Sequence, residues 1–367
     1  MTRKEKKTVG FISMLLILAD LAAPRAFAMH IMEGYLPVSH ALVWFAICLP
    51  FWFLGFKSLK KTVAEHPKAI SIIAISGAFI FVISSLKIPS VTGSCSHMTG
   101  TGLAAILFGP TAVSILGVIV LIFQALLLAH GGLTTLGANT FSMAIAGPIV
   151  SYLIYRALSK TNAKKSISVF LAAALGDLFT YCVTALQLAI AYPAADGGVA
   201  TSIVKFMGVF APTQIPLAVI EGLLTTAIIL GLESYAKNEL TDIGFLGAKV
   251  PEGQSELKPI FGSKSIAVLL VASALIALIP FFALGSKAEF GGSDDAGSEM
   301  ITEVTGQEYE PWFEPVLEKA IGGELPGEVE SLFFCLQTGI GVGIIAYVMG
   351  RFSERKKLQK AGFVKEQ

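Results

Sequence analysis

Residues 101–130 read TGLAAILFGPTAVSILGVIVLIFQALLLAH, and no part of the sequence is more informative about the fold. The stretch contains no Asp, Glu, Lys or Arg, and a helix needs about 20 apolar residues to cross a hydrocarbon core about 30 Å thick. Gly109-Pro110 interrupts the stretch, because proline lacks a backbone donor and breaks a helix. We therefore predict a short helical segment that enters from a loop, followed by a full membrane span.

Apolar stretches recur on both sides of this one, at residues 38–57, 69–87, 137–158, 166–192, 206–236, 264–284 and 331–350. The chain is 54% hydrophobic and 14% charged, whereas about 25% of the residues of a soluble domain are charged. Its mean hydropathy is +0.72. The sequence predicts an all-α polytopic membrane protein, with a seven-helix bundle followed by a two-helix transmembrane hairpin. In the last helix, Gly339 and Gly343 form a small-xxx-small pair beside Gly341, which would allow close contact between helices.

Basic residues cluster at three places, residues 57–68, 156–165 and 351–360. The positive-inside bias places all three in the cytoplasm, in a protein of the cell membrane. The residues after a cleaved leader, the loop around His97 and the segment 286–330 are then extracytoplasmic. That segment has twelve acidic and two basic residues, a net charge of −10. The acids could concentrate cations near an entrance, or they could simply be tolerated outside.

The first 28 residues are predicted to be a signal peptide. Residues 2–7 have a net positive charge, residues 9–19 are apolar, and Ala26-Phe27-Ala28 provides the small residues that signal peptidase requires. Asp20 and Arg25 are unusual in a leader, so an uncleaved first transmembrane helix stays open as the alternative.

Cleavage after Ala28 would create a chelating N-terminus, because the mature chain would begin Met29-His30. The free amine, the amide nitrogen of His30 and its imidazole can close fused rings around one metal and leave one in-plane position for another ligand. All-nitrogen tetragonal geometry favours Ni(II) or Cu(II), and Co(II) has similar ligand preferences. A histidine at this position by chance, with only a structural role, is the alternative.

His97 is the candidate for the remaining ligand, because it lies in the Gly-, Ser- and Thr-rich segment 89–102 between two apolar spans. Irregular backbone at membrane depth is covered by protein or lines a cavity, and an ionisable residue there suggests a functional site. A hydrogen-bonded structural histidine is the alternative. Cys95 is not included among the ligands, and His40 and His130 are interpreted as interfacial residues that do not bind metal.

The remaining polar residues of the spans are expected to point into the bundle, where they would hydrogen-bond between helices. These are Gln124, Asp177, Gln187 and Glu221. The chain has no G-x-x-x-x-G-K-[ST] or H-E-x-x-H motif, so neither ATP hydrolysis nor zinc proteolysis by the usual motif is expected. It also has no basic patch, so binding to nucleic acid is not expected. Two alternatives to a transport subunit remain, a gradient-driven metal permease and a metal-dependent membrane enzyme.

Three motifs, MHIMEGYLP at 29–37, GSCSHMTGTGL at 93–103 and ILFGP at 106–110, closely resemble the CbiM/NikM family. This family comprises the substrate-capture (S) components of energy-coupling-factor (ECF) importers for cobalt and nickel. Residues 290–294, 311–313 and 331–334 are similar to the CbiN-type accessory component, which would here be fused to the same chain. The resemblance divides the chain into a signal peptide (1–28), a metal-binding membrane domain (29–236), a cytoplasmic linker (237–263), a hairpin with an acidic extracytoplasmic loop (264–351) and a basic cytoplasmic tail (352–367).

The resemblance also implies the ligands and the partners. Co(II) or Ni(II) would be bound as a transported substrate by the amine of Met29, the backbone and imidazole nitrogens of His30 and the imidazole of His97. The chain would have no catalytic residue and no resident cofactor. Its partners in the bilayer would be a transmembrane coupling subunit of the CbiQ/NikQ type and a CbiO/NikO-type pair of ATPases that hydrolyses ATP. The CbiN-type companion favours cobalt over nickel, although the ligands alone leave the choice open.

Overall fold

The computed structural model describes residues 30–89, 94–246, 263–284, 291–307, 309–323 and 325–360, and these residues are nearly all helical. In chain order the helices are α1 Val38–Glu65, α2 Ala69–Ile83, α3 Thr101–Phe108, α4 Pro110–Leu127, α5 Leu136–Asn139, α6 Gly147–Leu158, α7 Lys165–Ala191, α8 Gly198–Tyr235, α9 Lys237–Asp242, α10 Ser263–Leu284, α11 Ser293–Thr305, α12 Val316–Ile321 and α13 Gly327–Lys360. A π-helix over Thr140–Ala146 joins α5 to α6. We call the part from α1 to α9 the first module and the part from α10 to α13 the second module. The first module has seven long or broken apolar segments, α1 to α8, as predicted, when the continuous stretch from α5 to α6 is counted once.

Six helices of the described part are long and apolar enough to cross a membrane, so the predicted polytopic fold is confirmed. They are Val38–Glu65, Pro110–Leu127, Leu136–Leu158, Lys165–Ala191, Gly198–Tyr235 and Ser331–Gln359. Ala69–Ile83 and Ser265–Ile279 are shorter apolar helices. In α8, 67% of the apolar window is buried, against 17% in α1. The long helix α8 is therefore central, and α1 presents most of its surface to lipid.

The predicted break at Gly109-Pro110 is confirmed. Helix α3 ends at Phe108, Gly109 has a φ of +82°, and Pro110 is the first residue of α4. A positive φ favours glycine, and proline fits the first turn of a helix. The eight residues of α3 rise only about 12 Å, so α3 is too short to cross a membrane by itself.

A short sheet, which was not predicted, connects the two modules. Strand β1 (Ile88–Pro89) pairs antiparallel with β2 (Ser94–Ser96), and β2 pairs in parallel with β3 (Gly291–Gly292). Cys95 lies opposite Pro89 on one side and Gly292 on the other. The strand immediately before His97 is thus hydrogen-bonded to both modules.

The second module packs along the first, with α13 against α2, and α10 and α11 against α8. Helix α13 lies close to α2 at Gly341, where a β-carbon would lie 2.5 Å from a methyl of Val82 and 3.1 Å from the carbonyl oxygen of Ala78. Gly339 and Gly343 have no described neighbour within 4 Å of such a carbon. The glycine that permits close contact is therefore Gly341, and not the predicted pair.

The two modules also meet at the opposite end of the molecule from the sheet. The described part of the linker segment begins with α9, in which Glu239 is buried. Helix α13 continues into the tail segment, and the guanidinium of Arg355 donates to both carboxylate oxygens of Glu239 at 2.5 and 2.8 Å. The ammonium of Lys356 donates to the carbonyl oxygen of Ser234 at 2.5 Å. These residues form a latch between the modules.

Candidate metal site

Three imidazoles converge at the end of the bundle near the short sheet. The Nδ1 atom of His30 lies 2.9 Å from Nε2 of His130 and 3.2 Å from Nε2 of His97. The Nε2 atoms of His97 and His130 are also 3.2 Å apart. All three side chains are at least 95% buried. Among the described residues, these three form the group of His, Cys, Asp and Glu side chains that could hold a metal ion.

His130 is not the interfacial residue that the sequence indicated. It follows the end of α4, where Ala129 has a φ of +48° and the amide of His130 donates to the carbonyl oxygen of Gln124 at 3.3 Å. This reversal of the chain at the helix terminus directs the imidazole inward. Gly131, with a φ of +70°, would place a β-carbon 3.1 Å from Cβ of His30. Gly131 and Gly132, which follow His130 in the sequence, are the feature that could have indicated such a close approach.

The protonation states of the three imidazoles leave nitrogen lone pairs that can bind a metal. A carbonyl oxygen only accepts hydrogen bonds, so the 2.8 Å contact between Nδ1 of His97 and the oxygen of Met98 places the proton on Nδ1. The Nε2 lone pair of His97 then faces the other two rings. Burial lowers the pKa of His97 to about 4 and holds the pKa values of His30 and His130 well below the usual range. All three rings are neutral at pH 7, which is the form that binds metal.

The segment 30–36, which we call the strap, is fixed beside the site by side chains that hydrogen-bond to its backbone N–H and C=O groups. The amide oxygen of Asn139 accepts from the backbone N–H of Ile31 at 2.9 Å, and its nitrogen donates to the carbonyl oxygen of Ile31 at 3.0 Å. The hydroxyl of Thr135 donates to the same carbonyl at 2.7 Å. These bonds fix the backbone directly after His30.

Glu33 fixes the other half of the strap, and sequence reasoning missed it. Its carboxylate accepts from the backbone N–H groups of Leu133 at 2.6 Å and Thr134 at 2.8 Å, and from the hydroxyl of Thr134. The side chain is 3% exposed. A buried carboxylate is tolerated where several donors replace water, so Glu33 binds the strap to the loop that follows His130.

Buried groups also hold the His97 loop in place. The hydroxyl of Tyr181 donates to the carbonyl oxygen of His97 at 2.7 Å. A carboxylate oxygen of Glu221 accepts from the N–H groups of Thr99 at 2.8 Å and Gly100 at 2.9 Å. The hydroxyl of Thr99 donates to the same carboxylate at 3.0 Å.

The polar residues of the spans point inward as predicted, since Asp177, Glu221, Gln124 and Gln187 are all buried. Asp177 of α7 and Glu221 of α8 are hydrogen-bonded to each other, as expected for polar groups of neighbouring helices, and both also bind the loop before α3. Asp177 accepts at 3.2 Å from the N–H of Thr99, the same group that Glu221 binds. The acids therefore hold the loop that carries His97.

The second module covers this end of the bundle. Tyr309 and the indole N–H of Trp312 donate to carbonyl oxygens of the strap at 3.1 and 2.8 Å. The ring of Phe334 packs edge-on against His130, with ring centroids 5.6 Å apart. Met29, the predicted amine ligand, lies outside the described residues, as does the side chain of Cys95.

Comparisons with known proteins agree with both halves of this architecture. The family described as "Cobalt uptake substrate-specific transmembrane region", CbiM, matches residues 30–239, and "Cobalt transport protein component CbiN" matches residues 263–362. The cobalt transport protein CbiM of Lachnoclostridium phytofermentans is 60% identical over 68% of this chain and 100% of that protein. The CbiM protein of Moorella thermoacetica is 56% identical over 64% of this chain and 91% of that protein.

A solved structure of a truncated transition metal transporter is 29% identical, has a TM-score of 0.49, and covers 56% of this chain and 99% of that chain. The CbiM match alone covers more than half of the 367 residues. The chain therefore belongs to the CbiM family of cobalt uptake substrate-specific transmembrane regions, and it continues into a CbiN component in the same polypeptide.

Proposed function

We propose that this chain is the substrate-binding subunit of an ECF importer for Co(II), with Ni(II) as the second candidate metal. The metal would be bound by the amine of a processed Met29, the amide and imidazole nitrogens of His30 and the imidazole of His97. The observation that carries this proposal is that the neutral imidazoles of His97 and His30 are buried with ring nitrogens 3.2 Å apart. His30 is the first residue of the anchored strap.

The two ends of the molecule support an extracytoplasmic site. One end carries the strap, the His97 loop and β3. The other end carries basic side chains, where Lys165 pairs with Glu233 and Arg355 pairs with Glu239. Basic residues are retained in the cytoplasm, so the metal site would face outward and receive the ion from outside the cell.

Energy would come from partners, because the chain lacks the phosphate-binding motif G-x-x-x-x-G-K-[ST]. We propose a transmembrane coupling subunit of the CbiQ type and a pair of cytoplasmic ATPases of the CbiO type. ATP hydrolysis would then drive the release of the bound ion into the cytoplasm, and this chain would itself catalyse no reaction.

The test is intact-mass analysis of the purified protein after loading with Co(II) or Ni(II), which reports the N-terminus and the metal stoichiometry together. We expect a chain that begins at Met29 with one metal, and loss of that metal in His30→Ala, in His97→Ala and after acetylation of the amine. His40→Ala is the control, because His40 contacts its neighbour Ser39 and not the site. Full retention of metal after the His97 and acetylation changes would refute the proposal.

A further inference from the structure

We infer that Asp177 and Glu221 share one proton, which Asp177 carries and donates to the carboxylate of Glu221, and that this proton allows the two acids to position the His97 loop. Asp177 is then a positioning residue that acts through Glu221, and it does not bind the metal. The shared proton is present with or without metal. Only its effect on metal affinity rests on the proposed function.

The two acids meet inside the bundle, out of contact with water. Asp177 of α7 is 1% exposed, and Glu221 of α8 is fully buried. Both accept from the backbone N–H of Thr99, Asp177 at 3.2 Å and Glu221 at 2.8 Å, and their side chains are hydrogen-bonded to each other. A carboxylate contains acceptors only, so a hydrogen bond between two carboxyl groups requires a proton on one of them.

A pair of negative charges at this place would have no cation to compensate it. Among the described residues, the ion pairs involve other side chains. The hydroxyl of Tyr181 also lies beside the acids, but it donates its hydrogen to the carbonyl oxygen of His97 at 2.7 Å. Burial of an uncompensated charge is costly, and two carboxyl groups that share a buried site do not both ionise. One of the two acids is therefore neutral.

The donors around the pair identify the charged member. Glu221 accepts from the N–H groups of Thr99 and Gly100 and from the hydroxyl of Thr99, at distances between 2.8 and 3.0 Å. Several donors of this kind stabilise a carboxylate. Asp177 receives the longer bond from Thr99, and no described donor reaches its Oδ2 atom. Glu221 is therefore the carboxylate, and Asp177 is the neutral acid.

The shared proton joins two helices to the loop that precedes α3. A β-carbon at Gly102 would lie 3.6 Å from Oε1 of Glu221, so the start of α3 packs directly on this carboxylate. The hydrogen bond from Asp177 holds Glu221 in place beneath Thr99, two residues after His97. Without the proton, the two carboxylates would repel each other, and the backbone N–H groups of the loop would lose a fixed acceptor.

Amide substitutions distinguish the two acids, since an amide is neutral and resembles a protonated carboxyl group. In Asp177→Asn, the side-chain nitrogen can donate to Glu221 while the oxygen still accepts from Thr99. In Glu221→Gln, by contrast, the side-chain nitrogen would face backbone N–H groups and leave a buried donor unsatisfied. In Asp177→Leu, the hydrogen bond to Glu221 is lost altogether.

The experiment combines infrared spectroscopy of the full-length processed protein in detergent at pH 7, without metal, with calorimetric titration of Co(II). We expect the C=O stretch of a protonated, buried carboxylic acid in the unmodified protein and its loss in Asp177→Asn. The control is Asp196→Asn at an exposed acid, which should retain the stretch. Asp177→Asn should keep the Co(II) affinity within about threefold, whereas Asp177→Leu should lower it about tenfold or more through the loss of a hydrogen bond to a charged group.

Absence of that stretch from the unmodified protein would overturn the inference, whether or not the variants fold. An unchanged stretch in folded Asp177→Asn, or equal losses of Co(II) affinity in the Asn and Leu variants, would also overturn it. These outcomes leave the chelate of Met29, His30 and His97 intact, because the stretch is measured without metal. Failure of the proposed function appears instead as metal retention after acetylation of the amine and replacement of His97.

Discussion

At the scale of single residues, the metal site depends on carboxylates that bind backbone N–H groups. Glu33 is buried and accepts two backbone hydrogen bonds and one from a hydroxyl. In Glu33→Gln an amide NH₂ would face at least one backbone N–H, and a donor left unsatisfied in this way costs about 1–3 kcal/mol. We predict that the strap detaches more readily and that bound metal dissociates about tenfold faster, measured by transfer to a chelator.

Glu65→Gln is the matched control for that substitution. The side chain of Glu65 is 55% exposed and forms an ion pair on the helix surface with Lys61 at 3.8 Å, and such pairs contribute little. Equal dissociation rates in the two variants would show that Glu33 does not hold the strap.

The two acids of the spans allow a graded test of the His97 loop. Glu221 accepts from two backbone N–H groups and a hydroxyl of the loop, whereas Asp177 has a longer contact to the N–H of Thr99 and is hydrogen-bonded to Glu221 itself. We predict that Glu221→Gln lowers metal affinity by tenfold or more, equivalent to about 1.4 kcal/mol, and that Asp177→Asn has a smaller effect. Calorimetric titration with Co(II) measures both. A larger loss in Asp177→Asn would contradict this assignment.

His30 and His97 could be predicted from the sequence because each lies in a distinctive local context, one behind a cleavage site and one in a polar loop between spans. His130 could not, because its direction depends on the positive φ of Ala129. That conformation is decided by tertiary contacts and not by the preference of alanine. Glu33 was missed for a similar reason, since its partners are backbone groups about 100 residues away.

At the scale of elements, the contact between α2 and α13 depends on one glycine. A β-carbon at Gly341 would lie 2.5 Å from Val82, whereas one at Gly343 would have no atom of the described residues within 4 Å. Alanine favours a helix over glycine by about 1 kcal/mol, so Gly343→Ala should be neutral or slightly stabilising. Gly341→Ala should instead lower the melting temperature, because overpacking costs about 1–3 kcal/mol. Equal melting temperatures in thermal unfolding would contradict this packing.

The helices were predictable because a membrane demands long apolar segments, and the break at Gly109-Pro110 follows from local chemistry. The strands were not predictable, since β2 and β3 consist of three and two residues that pair across nearly 200 positions of sequence. The choice of Gly341 over its neighbours depends on how α13 is rotated against α2. Composition contains no information about that rotation.

At the scale of the whole molecule, the two modules are connected along their full length. Near the sheet, the second module binds the strap through Tyr309 and Trp312. Farther along, the amide nitrogen of Gln337 donates to the carbonyl oxygen of Phe81 at 2.7 Å. At the opposite end is the latch between Arg355 and Glu239. Contacts of this extent should hold the modules together without a covalent connection.

We therefore predict that a protease site inserted within residues 250–260 can be cut without separating the two fragments, as measured by co-purification of the pieces in detergent. Arg355→Ala should weaken their association by about 1–3 kcal/mol, because the carboxylate of Glu239, only 3% exposed, would lose its charged partner. Lys357, which is exposed on the same helix, provides the control substitution Lys357→Ala. Separation of the fragments in the otherwise unmodified protein would mean that the covalent connection holds the modules together. Equal association in the two variants would mean that the latch contributes little to their docking.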